Sequence, residues 1–350
     1  MINLYSDNVA PVPPAIMAAI DEANRISAMP YGNDGTTEQA TAALSAFFER
    51  PVTVCPVPTG TAANALSMAL LLRPYGTVFA TDCAHIHTSE GGATEFFTGG
   101  AKITTVPAPD GRLPPAALEE AIAKAGKGLR HRSQPDAVSV TNATELGTVY
   151  GVEQVTALSA IAHRHGLKFH MDGARFSNAL ARLGCSPADL TWRAGVDVLS
   201  MGLTKNGAMN VEAVVSFDPD LGDEMAHRAR RSGYTWSKMR YASAQVVAAV
   251  AGDTARDLAA RANRAAGLLA DGLRPLPGLE ILYPVEINHL FVRVPEAAAE
   301  ALLSHGLRIG HRGGGLIRIV TSWATTDAMV AGAVAAFQAA LAGAAAPRAA

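Results

Sequence analysis

Short apolar segments alternate with longer stretches of helical periodicity over the first 245 residues. The apolar segments 76–81, 136–141, 167–172 and 196–201 predict strands, and the periodic stretches 61–72, 114–126 and 152–166 predict helices. Strands that alternate with helices of this length are typical of βαβ units. The pattern therefore predicts an α/β protein with a mostly parallel sheet.

The pattern changes after residue 245. One long helix is predicted over 244–273, and two strand-like segments, 288–294 and 315–323, flank a helical segment at 296–306. This order predicts a smaller α+β domain. We therefore divide the chain into a large domain (1–245), a small C-terminal domain (246–345) and a disordered, low-complexity tail (346–350).

Composition narrows the class of protein. Of 350 residues, 49% are hydrophobic and 17% charged, which indicates a compact globular chain, and a net charge of −2 gives no footprint for nucleic acid or an anionic membrane. Three cysteines without a CxxC pair indicate neither a disulfide framework nor a zinc site. The N-terminus lacks the pattern of a signal peptide, and no apolar run reaches the ~18 residues of a spanning helix. We expect a cytoplasmic protein.

Polar residues that could take part in catalysis or ligand binding follow several predicted strands. Lys205 stands between two apolar runs, and Asp172 ends the strand "FHMD". Considered alone, Lys205 is interpreted as a solvated loop residue, and Asp172 is interpreted as the N-cap of a helix. Ligands of open α/β sheets bind beyond the carboxyl ends of the strands, where Asp172, Thr141–Asn142 and Thr204–Lys205 all fall. An amine held there could perform covalent chemistry.

The segment "PTGTAAN" is a candidate anion site. Gly60, Thr61 and Ala62 stand where a helix is predicted to begin, and free amides with the helix dipole favour an anion there. An ordinary threonine-capped helix start is the alternative. Neither a GxGxxG nor a P-loop pattern is present, so a single phosphate fits better than a dinucleotide or triphosphate.

Two further segments carry candidate ligand-binding residues. "AHIHTSEGG" offers His85, His87 and Glu90, but no third ligand at a recognised spacing, so a metal site is disfavoured. Stacking of His85 on a cofactor ring, or proton transfer, is the better functional hypothesis, with a buried hydrogen-bonded histidine as the alternative. Arg318 lies between apolar residues of a predicted strand and needs an anion, either a ligand carboxylate or a structural salt bridge.

Taken together, these segments resemble the pyridoxal-phosphate enzymes of fold type I, specifically the L-threonine and phenylserine aldolases. The resemblance runs from "LYSDNVAPVPPAIMAAI" through "PTGTAAN", "AHIHTSEGGA", "TNATELGTVY" and "HMDGARFSNA" to "IRIVTSW". It implies a large cofactor-binding domain, built on a mostly parallel seven-stranded sheet between helices, with an N-terminal arm that contributes to the active site. The small C-terminal domain completes this fold.

The resemblance also implies roles for individual residues. Lys205 would bind pyridoxal phosphate covalently, next to Thr204, where one branch of the family has serine. Asp172 would pair with the ring nitrogen, and His85 would stack on the ring. The remaining cofactor contacts would come from Gly60, Thr61, Ala62 and Arg175, and the substrate contacts from Ser6, Arg175 and Arg318. His131 would be a second active-site histidine, and Tyr31 and Arg240 would act across a subunit interface.

The implied reaction cleaves a β-hydroxy-α-amino acid, such as L-threonine, L-allo-threonine or phenylserine, to glycine and an aldehyde. His85, or a water that it orders, would remove the hydroxyl proton with help from His131. The implied assembly is a homotetramer of dimers with shared active sites. A β-eliminating lyase or an aminotransferase is the alternative within the fold, and a non-catalytic binding subunit is the alternative outside enzymes.

Overall fold

The computed structural model describes residues 1–345. Its strands are β1 (Ile2–Asn3), β2 (Thr53–Val57), β3 (Gly76–Thr81), β4 (Lys102–Val106), β5 (Gln134–Thr141), β6 (Lys168–Gly173), β7 (Val198–Met201), β8 (Glu212–Ser216), β9 (Glu280–Ile281), β10 (His289–Arg293), β11 (Leu307–Arg308), β12 (Gly310–His311) and β13 (Leu316–Val320). Its helices are α1 (Pro14–Asn24), α2 (Gly35–Phe47), α3 (Gly60–Leu71), α4 (His85–Thr88), α5 (Ala93–Thr98), α6 (Pro115–Lys124), α7 (Val152–Arg164), α8 (Phe176–Leu183), α9 (Gly222–Arg231), α10 (Arg240–Val250), α11 (Thr254–Leu273), α12 (Glu296–Ala301) and α13 (Asp327–Ala345).

A seven-stranded sheet forms the centre of the large domain. Its strand order is β2-β8-β7-β6-β5-β3-β4, and β8 alone runs against its neighbours. The prediction of an α/β fold with a mostly parallel sheet is therefore confirmed. In the register of the central strands, Asp172 lies opposite both Thr141 of β5 and Ser200 of β7. The carboxyl ends of these strands thus meet at one edge.

Helices cover both faces of this sheet. Successive strand residues point to opposite faces, so Val198 packs with α3 and α9, whereas Leu199 packs into the core beneath α1, α2, α7 and α10. The near-continuous apolar sequence of β7 and β8 follows from burial on both sides. Because helices exclude water from both faces of the sheet, polar binding or catalytic groups are expected at the ends of its strands.

The small domain has its own sheet and core. Four antiparallel strands in the order β12-β13-β10-β9 pack with α11, α12 and α13. The N-terminal arm joins this domain, because β1 pairs with β11 and Leu4 is buried in the second core. Val246 and Ala249 belong to the first core, so α10 packs with the large domain. The boundary at residue 245 stays a prediction, and the predicted tail 346–350 lies outside the described residues.

The prediction of one helix over 244–273 is wrong. Helix α10 ends at Val250, and α11 begins at Thr254. Between them Ala251 is extended, with ψ 123°, and Gly252 adopts φ +55°. Only glycine takes that left-handed conformation without steric cost, so Gly252 turns the chain between two helices of similar composition.

Helix α13 is apolar enough to be compared with a membrane span. Within residues 1–345 it is the one helix whose length and mean hydropathy, 1.4 over 327–344, meet such a criterion. Ala333, Phe337 and Ala340 on one of its faces are buried in the second core against α11 and α12. Core helices of globular proteins commonly have this composition, so these features are weak evidence for a span.

His170, buried beneath the strand ends, makes stability depend on pH. Its ring forms hydrogen bonds with Ser139 Oγ (2.9 Å) and Ser200 Oγ (3.0 Å), and burial lowers its pKa to about 4. The unfolded chain binds a proton at this histidine near pH 6.5, whereas the native chain does so only near pH 4. Native stability is therefore lost as pH falls through this window, by about 2 kcal/mol between pH 7 and about pH 4.5.

The measurement is urea unfolding of the wild type and His170→Gln at both pH values. We expect the free energy of unfolding of the variant to fall by about 2 kcal/mol less than that of the wild type over this interval. His305→Gln, in a loop of the small domain, is the matched control, since its side chain is exposed. Equal losses in wild type and His170→Gln would contradict the assignment.

Candidate active site

A polar cavity of about 400 Å³ opens at the carboxyl edge of the large sheet, where the N-terminal arm and the small domain approach it. The residues that line it are Ser6, Asn8, Pro58, Thr59, Gly60, Thr61, His85, Glu145, Ala174, Arg175, Thr204, Lys205, Glu212, His289 and Arg318. Another cavity, of about 450 Å³, lies against α13, but its lining within residues 1–345 is apolar except for Gln338 and includes no ionisable side chain. The polar cavity is therefore the candidate active site.

Lys205 lies in a single 3-10 turn, Thr204–Asn206, directly after β7. Burial lowers its pKa, and the nearby Arg175 guanidinium lowers it further, against the opposing effect of Asp7, Asp172 and Glu212. A lowered pKa raises the neutral, nucleophilic fraction of an amine. Lys205 is half-buried and lines the cavity, so the interpretation of it as a solvated loop lysine is wrong.

Glu212 fixes the turn that carries the lysine. Its buried carboxylate accepts hydrogen bonds from the amides of Leu203 and Thr204, and burial raises its pKa to about 7. Thr204 Oγ1 donates to the carbonyl of Val211 at 3.2 Å, which ties the turn to β8. These bonds hold the backbone that presents Lys205 to the cavity.

Asp172 is buried at the end of β6 and oriented by two donors. Its Oδ1 accepts the amide of Ala174 at 2.9 Å, and its Oδ2 accepts Asn64 Nδ2 at 2.8 Å. Helix α8 has Arg175 at its N-cap position, so the interpretation of Asp172 as the N-cap is wrong. A fixed, buried carboxylate at this edge can hold a proton on a ligand nitrogen.

The start of α3 supplies amides for an anion. Thr59 is the N-cap, and its Oγ1 accepts the amide of Ala62 at 3.1 Å. Ala62 is therefore not available as the predicted third donor, and it does not line the cavity. The amides of Gly60 and Thr61 have no acceptor within residues 1–345, and a Cβ at Gly60 would meet no protein atom within 4 Å. These two backbone amides are therefore available to bind an anion.

His85 belongs to a hydrogen-bond chain that runs through the buried Glu90 and Asn64 to Asp172. Its Nδ1 lies 2.8 Å from Glu90 Oε1, and Asn64 Nδ2 donates to both Glu90 (2.7 Å) and Asp172 (2.8 Å). The Glu90 hydrogen bond raises the pKa of His85 more than burial lowers it. Because Glu90 engages Nδ1, Nε2 is the ring nitrogen left for the cavity. The chain fixes the orientation of both His85 and Asp172.

Arg175 is paired with an acid from the N-terminal arm. Its Nε and Nη2 donate to the two carboxylate oxygens of the buried Asp7 at 2.7 and 3.1 Å, and Asn288 Nδ2 donates to Asp7 Oδ2 at 3.1 Å. The arm, the large domain and the small domain therefore meet at one carboxylate. Ser6, next to it, lines the cavity and accepts the amide of Asn8 through Oγ.

Arg318 also lines the cavity, but forms no salt bridge with an acid of the described residues 1–345. Its Nη2 donates only to the carbonyl of Tyr5, at 3.4 Å, and its Nε is buried without an acceptor in this part of the chain. Burial and the positive charges of Arg175 and Arg312 lower its pKa. The structural salt bridge proposed as the alternative is therefore not formed, and the guanidinium is free for an anionic ligand.

Three predicted residues lie away from this cavity. His131 is exposed in the turn before β5, at the amino end of an eight-residue strand that spans roughly 25 Å. The expectation that His131 assists His85 is thus not met within one chain. Tyr31 is exposed beneath Arg230 with φ +60°, and Arg240 donates to the carbonyl of Ala23 at 3.1 Å. The roles of these two were expected in a neighbouring subunit.

Sequence reasoning missed several residues that the structure brings here. Glu145 is half-buried, accepts hydrogen bonds from Thr141 Oγ1 (2.7 Å) and the amide of His85 (2.8 Å), and has its pKa raised to about 7 by desolvation. Its place four residues after the predicted strand end was the available signal. Asn64 and His289 stand within a helix and a strand pattern that give no such signal. No group of three or more metal-ligating side chains is found in residues 1–345.

Comparison with known proteins gives concordant matches. The family model described as beta-eliminating lyase matches residues 3–297. The low specificity L-threonine aldolase of Pseudomonas aeruginosa is 41% identical over 91% of this chain and 92% of the relative, and that of a Pseudomonas species is 40% identical over 93% and 94%. The solved threonine aldolase of Leishmania major is 28% identical, with a TM-score of 0.90 over 97% of this chain and 100% of that one.

The hydrogen-bond chain at His85 gives a direct test. Glu90→Gln replaces the carboxylate that stabilises the charged ring, so we expect the pKa of His85 to fall. NMR titration of ring-labelled histidine measures this change. Glu95→Gln, an exposed acid on the following helix, is the control and should leave the titration of His85 unchanged. An unaltered His85 titration in Glu90→Gln would contradict the hydrogen bond.

Proposed function

The chain belongs to the beta-eliminating lyase family, and on that premise we propose that it is a pyridoxal-phosphate-dependent, low-specificity L-threonine aldolase. It cleaves the Cα–Cβ bond of β-hydroxy-α-amino acids and releases glycine and an aldehyde. The observation that carries the proposal is the convergence of Lys205, the start of α3 and Arg318 on one cavity. Asp172 is buried beside this cavity, where it accepts the amide of Ala174, a residue of the lining.

These residues fit pyridoxal phosphate by their chemistry. The cavity offers an amine of lowered pKa at Lys205 and two free amides at Gly60 and Thr61, and the oriented carboxylate of Asp172 is buried beside it. These are the partners that an aldehyde, a pyridine nitrogen and a phosphate require. When bound, the cofactor supplies an electron sink for the cleaved bond.

Residues at two strand ends would hold the cofactor: Lys205 after β7 and Asp172 in β6. Lys205 would hold the cofactor covalently through its amine. Asp172 would accept a hydrogen bond from the cofactor's ring nitrogen, and Asn64 and the amide of Ala174 keep the oxygens of Asp172 in place. Loss of Lys205 would remove the covalent attachment, and loss of Asp172 would remove the partner of the ring nitrogen.

Substrate orientation is the task of the cationic side of the cavity. Arg318 and Ser6 bind the α-carboxylate, and Arg175 stands beside them, held by Asp7. Fixing the carboxylate sets the direction of the scissile Cα–Cβ bond relative to the ring plane. The free Nε of Arg318 suits such a bidentate contact.

Removal of the β-hydroxyl proton falls to His85 or to a water that it orders. With Nδ1–H donating to Glu90, Nε2 carries the lone pair that accepts this proton. Glu145 packs against the backbone of His85 and holds the loop that carries it. His131 can assist only from another subunit, since it lies at the opposite edge of its own sheet.

The proposal includes assembly and location. A dimer with shared active sites, paired into a homotetramer, would bring Tyr31, Arg240 and His131 to a neighbouring cavity. Their exposure or position away from the chain's own cavity supports this arrangement. The cytoplasm as location remains a prediction.

The reaction is tested by product analysis. The holoenzyme is incubated with the four threonine isomers and with phenylserine, with and without added pyridoxal phosphate, and glycine and aldehyde are quantified. We expect equal amounts of both products, and no turnover by Lys205→Ala, because the cofactor's covalent anchor is lost. Lys102→Ala, at an exposed position of β4, is the control and should retain full activity.

Other products would identify the alternatives. Ammonia with a 2-oxo acid indicates β-elimination, and a dependence on an added 2-oxo acid indicates transamination. Threonine cleavage retained by Lys205→Ala would rule out the role assigned to this lysine.

Asp172 is tested by Asp172→Asn. A neutral amide cannot hold a proton on the ring nitrogen, so we expect kcat to fall by at least about a hundredfold, with the fold retained. Kinetics with L-threonine and far-ultraviolet circular dichroism measure the two effects. Asp271→Asn, at the exposed end of α11, is the matched control. A change below about threefold would show that Asp172 has only a structural role.

A further inference from the structure

His289, the first residue of β10, stands at the cationic side of the cavity without a partner. Its side chain is 3% exposed and lines the cavity together with Arg175 and Arg318. Neither of its ring nitrogens has a hydrogen-bond partner within residues 1–345. Leaving a buried polar group unpaired is unfavourable, so a histidine in this state points to a ligand.

The ring is held in place rather than free to swing to solvent. The turn at Gly147 approaches so closely that a Cβ there would lie 2.9 Å from the Cβ of His289. Phe291, on the same strand, packs edge-on against the imidazole, with the ring centroids 6.1 Å apart and an angle of 83° between the ring planes. The neighbouring Asn288 is bonded to Asp7 and to the carbonyl of Thr321, which fixes the backbone. The imidazole therefore has a defined direction into the cavity.

The surrounding charges determine its protonation and its preferred ligand. Burial, together with the positive charges of Arg175, Arg318, Lys205 and Arg312, lowers the pKa of His289 well below its usual value. The ring is thus neutral and offers one N–H donor and one acceptor nitrogen. A group that binds among these cations gains most if it is an anion.

A second donor near His289 also lacks an acceptor. Arg318 Nε is buried and unpaired in the described chain, whereas Arg175 is satisfied by Asp7. Two unpaired donors on the lining of one cavity, in a positive field, match the two oxygens of a carboxylate. A phosphate is better served by the free amides at the start of α3.

We propose that His289 donates a hydrogen bond to the α-carboxylate of the amino-acid substrate, alongside Arg318. This inference rests on the proposed function, because it takes the substrate to be an amino acid bound in this cavity. It makes His289 a substrate-binding residue that favours amino acids over amines without a carboxylate.

The experiment compares two ligands of the holoenzyme that differ in the carboxylate. Glycine and 2-aminoethanol carry the same amine, and both are titrated by the change in cofactor absorbance. In His289→Leu we expect the Kd of glycine to rise roughly 10- to 100-fold, the loss of one hydrogen bond to a charged group, with the Kd of 2-aminoethanol changed less than about twofold. The KM for L-threonine should rise in parallel, with kcat nearly unchanged.

Two further variants identify the donor nitrogen and guard against misfolding. His289→Gln places an amide nitrogen near the position of Nε2, and His289→Asn places one near that of Nδ1. We expect one of them to bind glycine at least about tenfold more tightly than the other. This comparison decides the question if His289→Leu does not fold.

Three outcomes count against the proposal, and a fourth concerns the proposed function alone. Unchanged glycine affinity in His289→Leu, or in both amide variants, overturns it. Equal weakening of glycine and 2-aminoethanol assigns His289 a structural role. Weaker binding of threonine with unchanged binding of glycine assigns it to the β-substituent instead. If the wild type binds glycine but does not cleave threonine, the proposed function fails while the test of His289 stands.

Discussion

The register of three parallel strands is the constraint on which the rest of the site depends. Thr141, Asp172 and Ser200 lie side by side on β5, β6 and β7, so the loops that follow these strands leave the sheet at one edge. Because both faces of the sheet are covered by apolar helices, polar groups can gather only there. A shift of one strand by one residue would turn Asp172 toward the opposite face and leave Lys205 without its neighbour.

The buried charges at this edge are stabilised by several neighbouring groups rather than by one-to-one salt bridges alone. Arg175 and Lys205 are cationic groups near Asp7, Asp172 and Glu212, yet only Arg175 has a direct salt bridge. The acids without an ion pair are held by neutral donors, such as the amides around Glu212 and Asn64 beside Asp172. This arrangement leaves Lys205 and Arg318 without an ion pair in residues 1–345, at a cost that a bound anion or aldehyde can offset.

Much of the fold and part of the site could be predicted from the sequence, because they depend on local patterns. The strand at 76–81 has the predicted bounds, and Lys205 and Asp172 stand at strand ends that hydrophobic periodicity reveals. The break at Gly252 was missed because helix-forming sequence stands on both sides of it. The Arg175–Asp7 pair joins residues 168 positions apart, and no local pattern indicates such a contact. The position of His131 relative to the cavity depends on strand direction, which periodicity does not encode.

The placement of the N-terminal arm has a consequence for biosynthesis. Residues Ile2 and Asn3 pair with Leu307 and Arg308, and Asp7 accepts a hydrogen bond from Asn288, 281 residues further along the chain. This arm is synthesised long before the segments with which it pairs, and it is therefore among the last to find its native partners. Until then Arg175 lacks its carboxylate, so the candidate active site is completed only after residues 288–308 have been translated. A nascent chain that stops before β11 would keep the central sheet but lack a finished catalytic cavity.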